Sequence, residues 1–554
     1  MTEPVSNRDE TRPALLAVLV LLFAIAWFAN LDYRKLVRPD EGRYAEIARE
    51  MAVTGDWVTP RLNAVKYFEK PPLQYWTTAS AFKTFGEHEW TARLWTGLTG
   101  FGGVLLVFFA GRALFGHRAA LYTALVLGSS FLYVGLGHIN TLDMGMTFFM
   151  TLALVGFLQA QRASAPGSAS RKWMLLAWAA MGLAVLSKGL IGLVLPGAST
   201  VAYCAVQRDL SPLKRLHPLA GILLLLLITA PWFVAVSAAN PEFPSFFFLH
   251  EHFARFLTKV HHRTAPWWFF IPILILGLLP WTFTLMHAAT GAWRSQPEQK
   301  TFNARRFLLI YAGLIFVFFS TSQSKLISYI LPTFPALALL IGDQLARQDS
   351  RTLFRQILPV AVLALFGAIT APFAASYSSK NVPPALYTAF SPWLIAAALV
   401  MLGSTLAALY LTRREKVGAA VLALSCGGLA FTQLLLTGHE TLSPSYSAYH
   451  IARTIRPYLK PEIPFYSLKM YEHTLPFYIK RTVTLVDYVD EFDFGLKQEP
   501  ALMIPTMAEF ETRWRQDPQA LAIMGGDVYH DLQAIGLPME LVARDMRRFV
   551  VRKP

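Results

Sequence analysis

Cysteine is almost missing from this chain, with two in 554 residues, Cys204 and Cys426, each inside an apolar run. That count excludes a disulfide framework and a thiolate metal cluster, and both are expected as small buried side chains. Charge is scarce too. Only 15% of the residues are Asp, Glu, Lys or Arg, against roughly 25% in soluble globular domains. That shortage, with 54% hydrophobic residues in recurring runs of about 20, excludes a soluble fold and fits repeated crossing of a hydrocarbon core of roughly 30 Å. There is no Walker A loop, no Rossmann glycine pattern, no internal repeat and no heptad array. Nucleotide-driven chemistry is thereby excluded, and any energy for a reaction has to come from the substrate.

What is present reads as an α-helical polytopic membrane protein of about 13 transmembrane helices. The spans are expected near 13–31, 91–111, 119–137, 143–161, 173–187, 189–207, 217–237, 267–290, 306–321, 327–345, 354–374, 388–411 and 417–437. The first is read as an uncleaved helix, since no small-residue cleavage site follows it. Bases collect in alternate loops, for example Arg112 with Arg118, Arg208 with Lys214 and Arg215, and Arg413 with Arg414 and Lys416. Short basic loops stay in the cytoplasm, so the N-terminus is expected there. The same rule accounts for the formal charge of +15 without a nucleic-acid partner. It places loops 32–90 and 238–266 on the outer face, together with everything after 437. From 438 to 554 short β-like runs ("IPFYSL", "TVTLVDY", "ALAIM", "FVVRK") alternate with helix-like pieces, which indicates a small external α/β domain after a transmembrane domain of residues 1–437.

Chemistry collects in the two long outer loops, which far exceed the roughly two to eight residues a bundle connection needs. The first contains "RPDEGRYAEIAREM". Pro39 suits a first helical turn, and Asp40 and Glu41 suit the positive end of the helix dipole. Ala45, Ile47, Ala48 and Met51 form an apolar stripe, so an interfacial amphipathic helix is expected. A second apolar face, Leu73, Trp76, Ala79 and Phe82, follows "YFEKPPLQYW", where Tyr67, Glu69 and Lys70 stand between aromatic rings and two prolines. The second loop, "FFFLHEHFARF", holds His250 and Arg255. Glu69 and His250 are candidate zinc ligands, since imidazole and carboxylate both suit that ion. Asp143, Lys188 and Lys325 stand at outer span ends. Charges near a bilayer are costly, and the cations Arg43, Lys70, Lys188, Arg255 and Lys325 on one face imply a phosphate-bearing ligand. Beside apolar grooves, that ligand is a lipid phosphate.

The order "RPDEGRYAEIAREM", "YFEKPPLQYW", "TLDM", "LSKG", "HEHFARF", "KLISYILP" resembles the integral-membrane glycosyltransferases of the GT-C type, and within them the lipid A aminoarabinose transferases. The resemblance covers the whole chain. It implies an undecaprenyl-phosphate-linked 4-amino-4-deoxy-L-arabinose donor and a lipid A phosphate acceptor, joined at the periplasmic face of a Gram-negative inner membrane by a monomer. The product would confer resistance to polymyxin. It implies catalytic acids at Asp40 and Asp143, with Arg43, Tyr67, Lys70, Lys188, Arg255 and Lys325 contacting phosphate or lipid. Two other readings stand beside it. One is transfer of mannose or another sugar from a polyprenyl phosphate to protein or glycan. The other is a lipid-linked sugar transporter, against which stands the lack of repeated halves and of a polar cluster at mid-bilayer.

Overall fold

The computed structural model describes residues 13–162, 167–248, 265–296, 302–377, 379 and 382–554. The described residues open with α1 (Pro13–Phe28) and a segment made of α2 (Asp40–Thr54), the hairpin β1 (Arg61–Leu62) and β2 (Val65–Lys66), and α3 (Leu73–Phe85). Bundle helices follow as α4 (Glu89–Phe115), α5 (His117–Leu127), α6 (Phe131–Leu136), α7 (Leu142–Gln161), α8 (Gly167–Lys188), α9 (Ile191–Gln207) and α10 (Pro218–Ala239). Among the described residues eight helices are long and apolar enough to cross a membrane, or nine if a pair bent by 104°, Phe270–Gly277 with Thr282–Arg294, is one span. This is a multi-pass helical membrane protein.

The expected thirteen segments are all helical where described, but four fall short of a full span by that measure. Segment 119–137 is interrupted at Gly128, Ser129 and Ser130 and becomes α5 and α6. Helices α1 and α9 are short, with 16 and 17 residues, and α8 carries Arg171 and Lys172 near one end and Lys188 at the other. Helix α7 is buried along almost its whole length and forms the centre of the bundle. Cys204 is buried as expected; Cys426 is not, because it points outward from the helix Val417–His439 to the surface that lipid would cover.

The C-terminal residues form a six-stranded sheet in the order β5-β4-β3-β6-β8-β7. Strands β3 (Phe465–Leu468), β4 (Thr484–Val486), β5 (Met503–Ile504) and β6 (Leu521–Met524) pair in parallel. Strands β7 (Glu540–Arg544) and β8 (Phe549–Arg552) complete it antiparallel. The four apolar runs of the sequence are β3, β4, β6 and β8. Strands β5 and β7 gave no such signal, one being two residues long and the other a short apolar run between Glu540 and Arg544 with no buried residue.

This sheet is not a self-contained unit. Tyr44, Ala45, Ile47, Ala48 and Met51 of α2 share one hydrophobic core with Ile451, Ile455, Phe465, Tyr471 and Leu475. Burying a side chain such as Ile47 stabilises by about 1.5–3 kcal/mol, so the seam holds the two parts firmly. Two glycines permit the close approach. A Cβ at Gly42 would lie 2.6 Å from the His473 carbonyl oxygen, and one at Gly495 2.4 Å from the Lys66 carbonyl oxygen. Helix α2 therefore differs from the expected interfacial helix. Its polar face is buried between the C-terminal domain and the β1–β2 hairpin, with Glu46, Arg49 and Glu50 all 6% exposed or less.

Candidate functional site

Helix α2 starts at Asp40, with Pro39 at its cap and Gly55 in the left-handed conformation closing it. The two acids of its first turn have different fates. Glu41 is 1% exposed and accepts from Arg93 Nε at 2.7 Å and Nη2 at 2.8 Å. It also accepts from the Asn140 backbone N–H at 2.9 Å, three residues before Asp143. Burial opposes its charge, but the Arg93 guanidinium overcomes this and holds the carboxyl at about 2. Glu41 is thus an anchor between α2, α4 and the start of α7. Asp40 keeps a 35% exposed side chain and, among the described residues, one ion pair, to Arg43 Nη1 at 2.8 Å.

Arg43 is held from two sides. Besides Asp40, its Nε lies 2.7 Å from Glu491, whose carboxylate also takes the His473 Nε2 N–H. Glu491 pairs closely with His473 and accepts from the Tyr67 hydroxyl at 3.3 Å. Burial disfavours the Glu491 charge, yet His473 and then Arg43 hold its carboxyl at about 2. Arg43, expected as a phosphate contact, has its guanidinium engaged by Asp40 and Glu491 and so orients Asp40. Glu491 and His473 lie in the C-terminal sheet domain, and no sequence motif pointed to them.

Tyr67 is 3% exposed, and burial, then Glu69, pushes its phenol well above the ordinary range. Tyr44 and Tyr75 behave alike, burial acting first and then Asp40 and Glu69 respectively. All three phenols stay protonated at neutral pH and can donate. The Tyr75 hydroxyl is buried with no hydrogen-bond partner among the described residues, beside Glu69, Arg43 and Asp40. That marks it as a donor the sequence reading missed. Glu69 and Lys70 form a loose pair at 4.0 Å, and Lys70 Nζ donates to the Glu69 carbonyl at 2.6 Å. The neighbouring Phe68 packs on Phe243 and Phe494, which ties this stretch to the second outer loop and the C-terminal domain.

Asp143 opens α7 and contacts Lys188 at the end of α8, whose ammonium also sits 4.8 Å over the Tyr329 ring. Lys325 is buried, donates to the Ser322 carbonyl, and burial lowers its pKa. Asp40, Arg43, Tyr67 and Glu69 thus share one neighbourhood, linked through Glu41 and Asn140 to the segment that carries Asp143. His250 and Arg255 lie outside the described residues. Among those described, no group of three or more His, Cys, Asp or Glu is placed to hold a metal ion.

The architecture, a helical bundle with a charged cap and a C-terminal sheet, is that of a GT-C type membrane protein. A sequence profile described as "Aminoarabinose transferase C-terminal domain" matches residues 451–553, and one described as "Dolichyl-phosphate-mannose-protein mannosyltransferase" matches 14–247. The crystal structure of ArnT from Cupriavidus metallidurans bound to undecaprenyl phosphate is 40% identical, with a TM-score of 0.93 over 98% of this chain and 99% of that one. An undecaprenyl phosphate-alpha-4-amino-4-deoxy-L-arabinose arabinosyl transferase of Shewanella sediminis is 31% identical over 74% of this chain and 73% of its own length. The namesake from Edwardsiella ictaluri is 36% identical over 59% of each chain, so the match spans about three fifths of that relative. The archaeal oligosaccharyltransferase AglB from Archaeoglobus fulgidus, 12% identical with a TM-score of 0.51, shares the fold alone. The chain belongs to the aminoarabinose transferase family.

Proposed function

We propose that this protein moves 4-amino-4-deoxy-L-arabinose from undecaprenyl phosphate to a phosphate of lipid A at the periplasmic face of the inner membrane. The observation that carries the reading is the 40% identity across the whole length of a structure bound to undecaprenyl phosphate. The site supports it, with acids and cations gathered at the outer end of an apolar bundle. In the reaction the bond from the sugar anomeric carbon to the donor phosphate oxygen breaks. A new bond forms from that carbon to an acceptor phosphate oxygen, and undecaprenyl phosphate leaves. A phosphate monoester has a second pKa of about 6, so the acceptor is already largely ionised and needs no general base. Asp40, fixed by Arg43, orients the sugar or stabilises positive charge developing on it. Lys70, with Arg255 from the second loop, stabilises the departing phosphate. Lowering the net negative charge of lipid A then weakens binding of cationic peptides such as polymyxin.

Purified protein in liposomes tests the reading with aminoarabinosyl and mannosyl undecaprenyl phosphate supplied in parallel, product being followed by mass. Turnover of the first alone is expected; turnover of the mannosyl lipid favours the rival mannosyltransferase reading. Replacing Asp40 by Asn is expected to lower turnover by about 100-fold or more with folding intact. A zinc ion on Glu69 and His250 is a further part of the proposal, tested by elemental analysis of the purified protein before and after Glu69→Gln.

A further inference from the structure

We propose that Glu50, on the last turns of α2, is a positioning residue that sets the β1–β2 hairpin and through it the Tyr67–Lys70 segment; this rests on the reading of the site given above. The hairpin turn is Asn63–Ala64, with φ of +53° and +67°. A two-residue turn of this kind needs left-handed backbone at both positions, which suits asparagine and glycine. Alanine is strained there. The Glu50 carboxylate accepts from both turn amides, Asn63 N at 2.5 Å and Ala64 N at 2.8 Å. Its side chain has no other hydrogen bond among the described residues. Around it stand Glu46 and Arg49 on α2 and Tyr471 from the C-terminal domain, and Arg49 is engaged by Glu46 at 2.6 and 2.7 Å. A second acid buried beside Glu46 is costly, and the turn is what it serves.

The hairpin is a hub. The Asn63 side chain exchanges hydrogen bonds with the Val483 backbone at 2.7 and 2.8 Å, and Arg61 pairs with Glu499 at 3.0 Å. Lys66 reaches Glu242 of the second outer loop at 2.7 Å. The Tyr67 amide closes the hairpin base on the Pro60 carbonyl at 2.9 Å, and the Tyr67 hydroxyl then meets Glu491 beside Arg43 and Asp40. A turn released by loss of Glu50 would shift the segment that carries Lys70, and small displacements of binding groups cost large factors in rate.

Four proteins decide it: Glu50→Ala, Glu50→Gln, Ala64→Gly and the double variant Glu50→Ala with Ala64→Gly. Steady-state transfer is read in liposomes, and hydrogen–deuterium exchange is read over residues 61–66. Glu50→Ala is expected to keep its melting temperature within a few degrees yet lose about 10- to 100-fold in donor kcat/KM, with about tenfold faster exchange at the turn. Glu50→Gln keeps an acceptor oxygen and loses less. Ala64→Gly alone stays within about twofold of wild type, and in the double variant it restores at least about half of the logarithmic loss, because glycine adopts that φ without strain. Unchanged kcat/KM in a folded Glu50→Ala overturns the proposal, as does a loss that Ala64→Gly does not relieve. Where Glu50→Ala does not fold, Glu50→Gln is the deciding variant, and unchanged turn exchange with unchanged kcat/KM overturns it. A wild type inactive on the aminoarabinosyl lipid would fail the functional reading alone, since exchange at the turn still reports on Glu50.

Discussion

Asp40 is ordinary in composition and unusual in its support. Its Arg43 partner is held by Glu491, which His473 braces in turn, so the setting of Asp40 depends on residues more than 400 positions later. The dependence has a pH signature. The folded-state pKa of Glu491 is depressed to about 2 from an ordinary carboxyl value. A depressed acid contributes stability that is fully present above its unfolded pKa and is lost as pH falls through the folded one. Wild type is therefore expected to melt well above Glu491→Gln at neutral pH, with the gap in Tm closing from about pH 5 toward pH 2. A gap that is constant over that range contradicts the assignment. Asp40, Glu69, Lys70 and Asp143 stood out in the sequence because charged residues beside apolar spans are conspicuous. Glu491 and His473 were not, because "YVDEFDF" and "KMYEHTL" read as surface loop until the fold brings them to Arg43. Tyr75 was hidden in an aromatic stretch, where nothing but position distinguishes a donor from a packing ring.

At the level of elements, α2 shows what periodicity reveals and what it leaves out. Its apolar stripe and its start at Pro39 were readable. The covering of its polar face was not, since a buried salt bridge such as Glu46–Arg49 looks in sequence like a solvated pair. Gly42 sits where that covering is tightest. Gly42→Ala is expected to push α2 off the His473 backbone, costing about 1–3 kcal/mol as overpacking does and loosening Arg43 from Glu491. Thermal unfolding with limited proteolysis of residues 438–554 checks this, and a variant as stable and as protease-resistant as wild type would speak against the close contact. The hairpin β1–β2 was also missed, because two-residue strands carry no alternation to read.

For the whole molecule, apolar run length located every helical segment of the bundle that is described, while breaks such as Gly128–Ser130 decide which of them form continuous spans. The C-terminal sheet was foreseen as a separate external domain, and its strands largely were visible. Its shared core with α2 and the hairpin was not, since long-range packing leaves no local trace. Residues 438–554 expressed alone are accordingly expected to unfold without a cooperative transition or to aggregate, the exposed half-core being the cause; a sharp melting transition for that fragment would contradict the shared-core account. The domain thus packs over α2 and braces Asp40 through Glu491 and Arg43. Mass spectrometry of lipid A from cells making the wild-type protein, its Asp40→Asn variant or neither tests the central claim most directly. The account predicts one or more added aminopentose groups with the wild type and none with the other two; an unmodified lipid A in all three, or equal modification by Asp40→Asn, would contradict it.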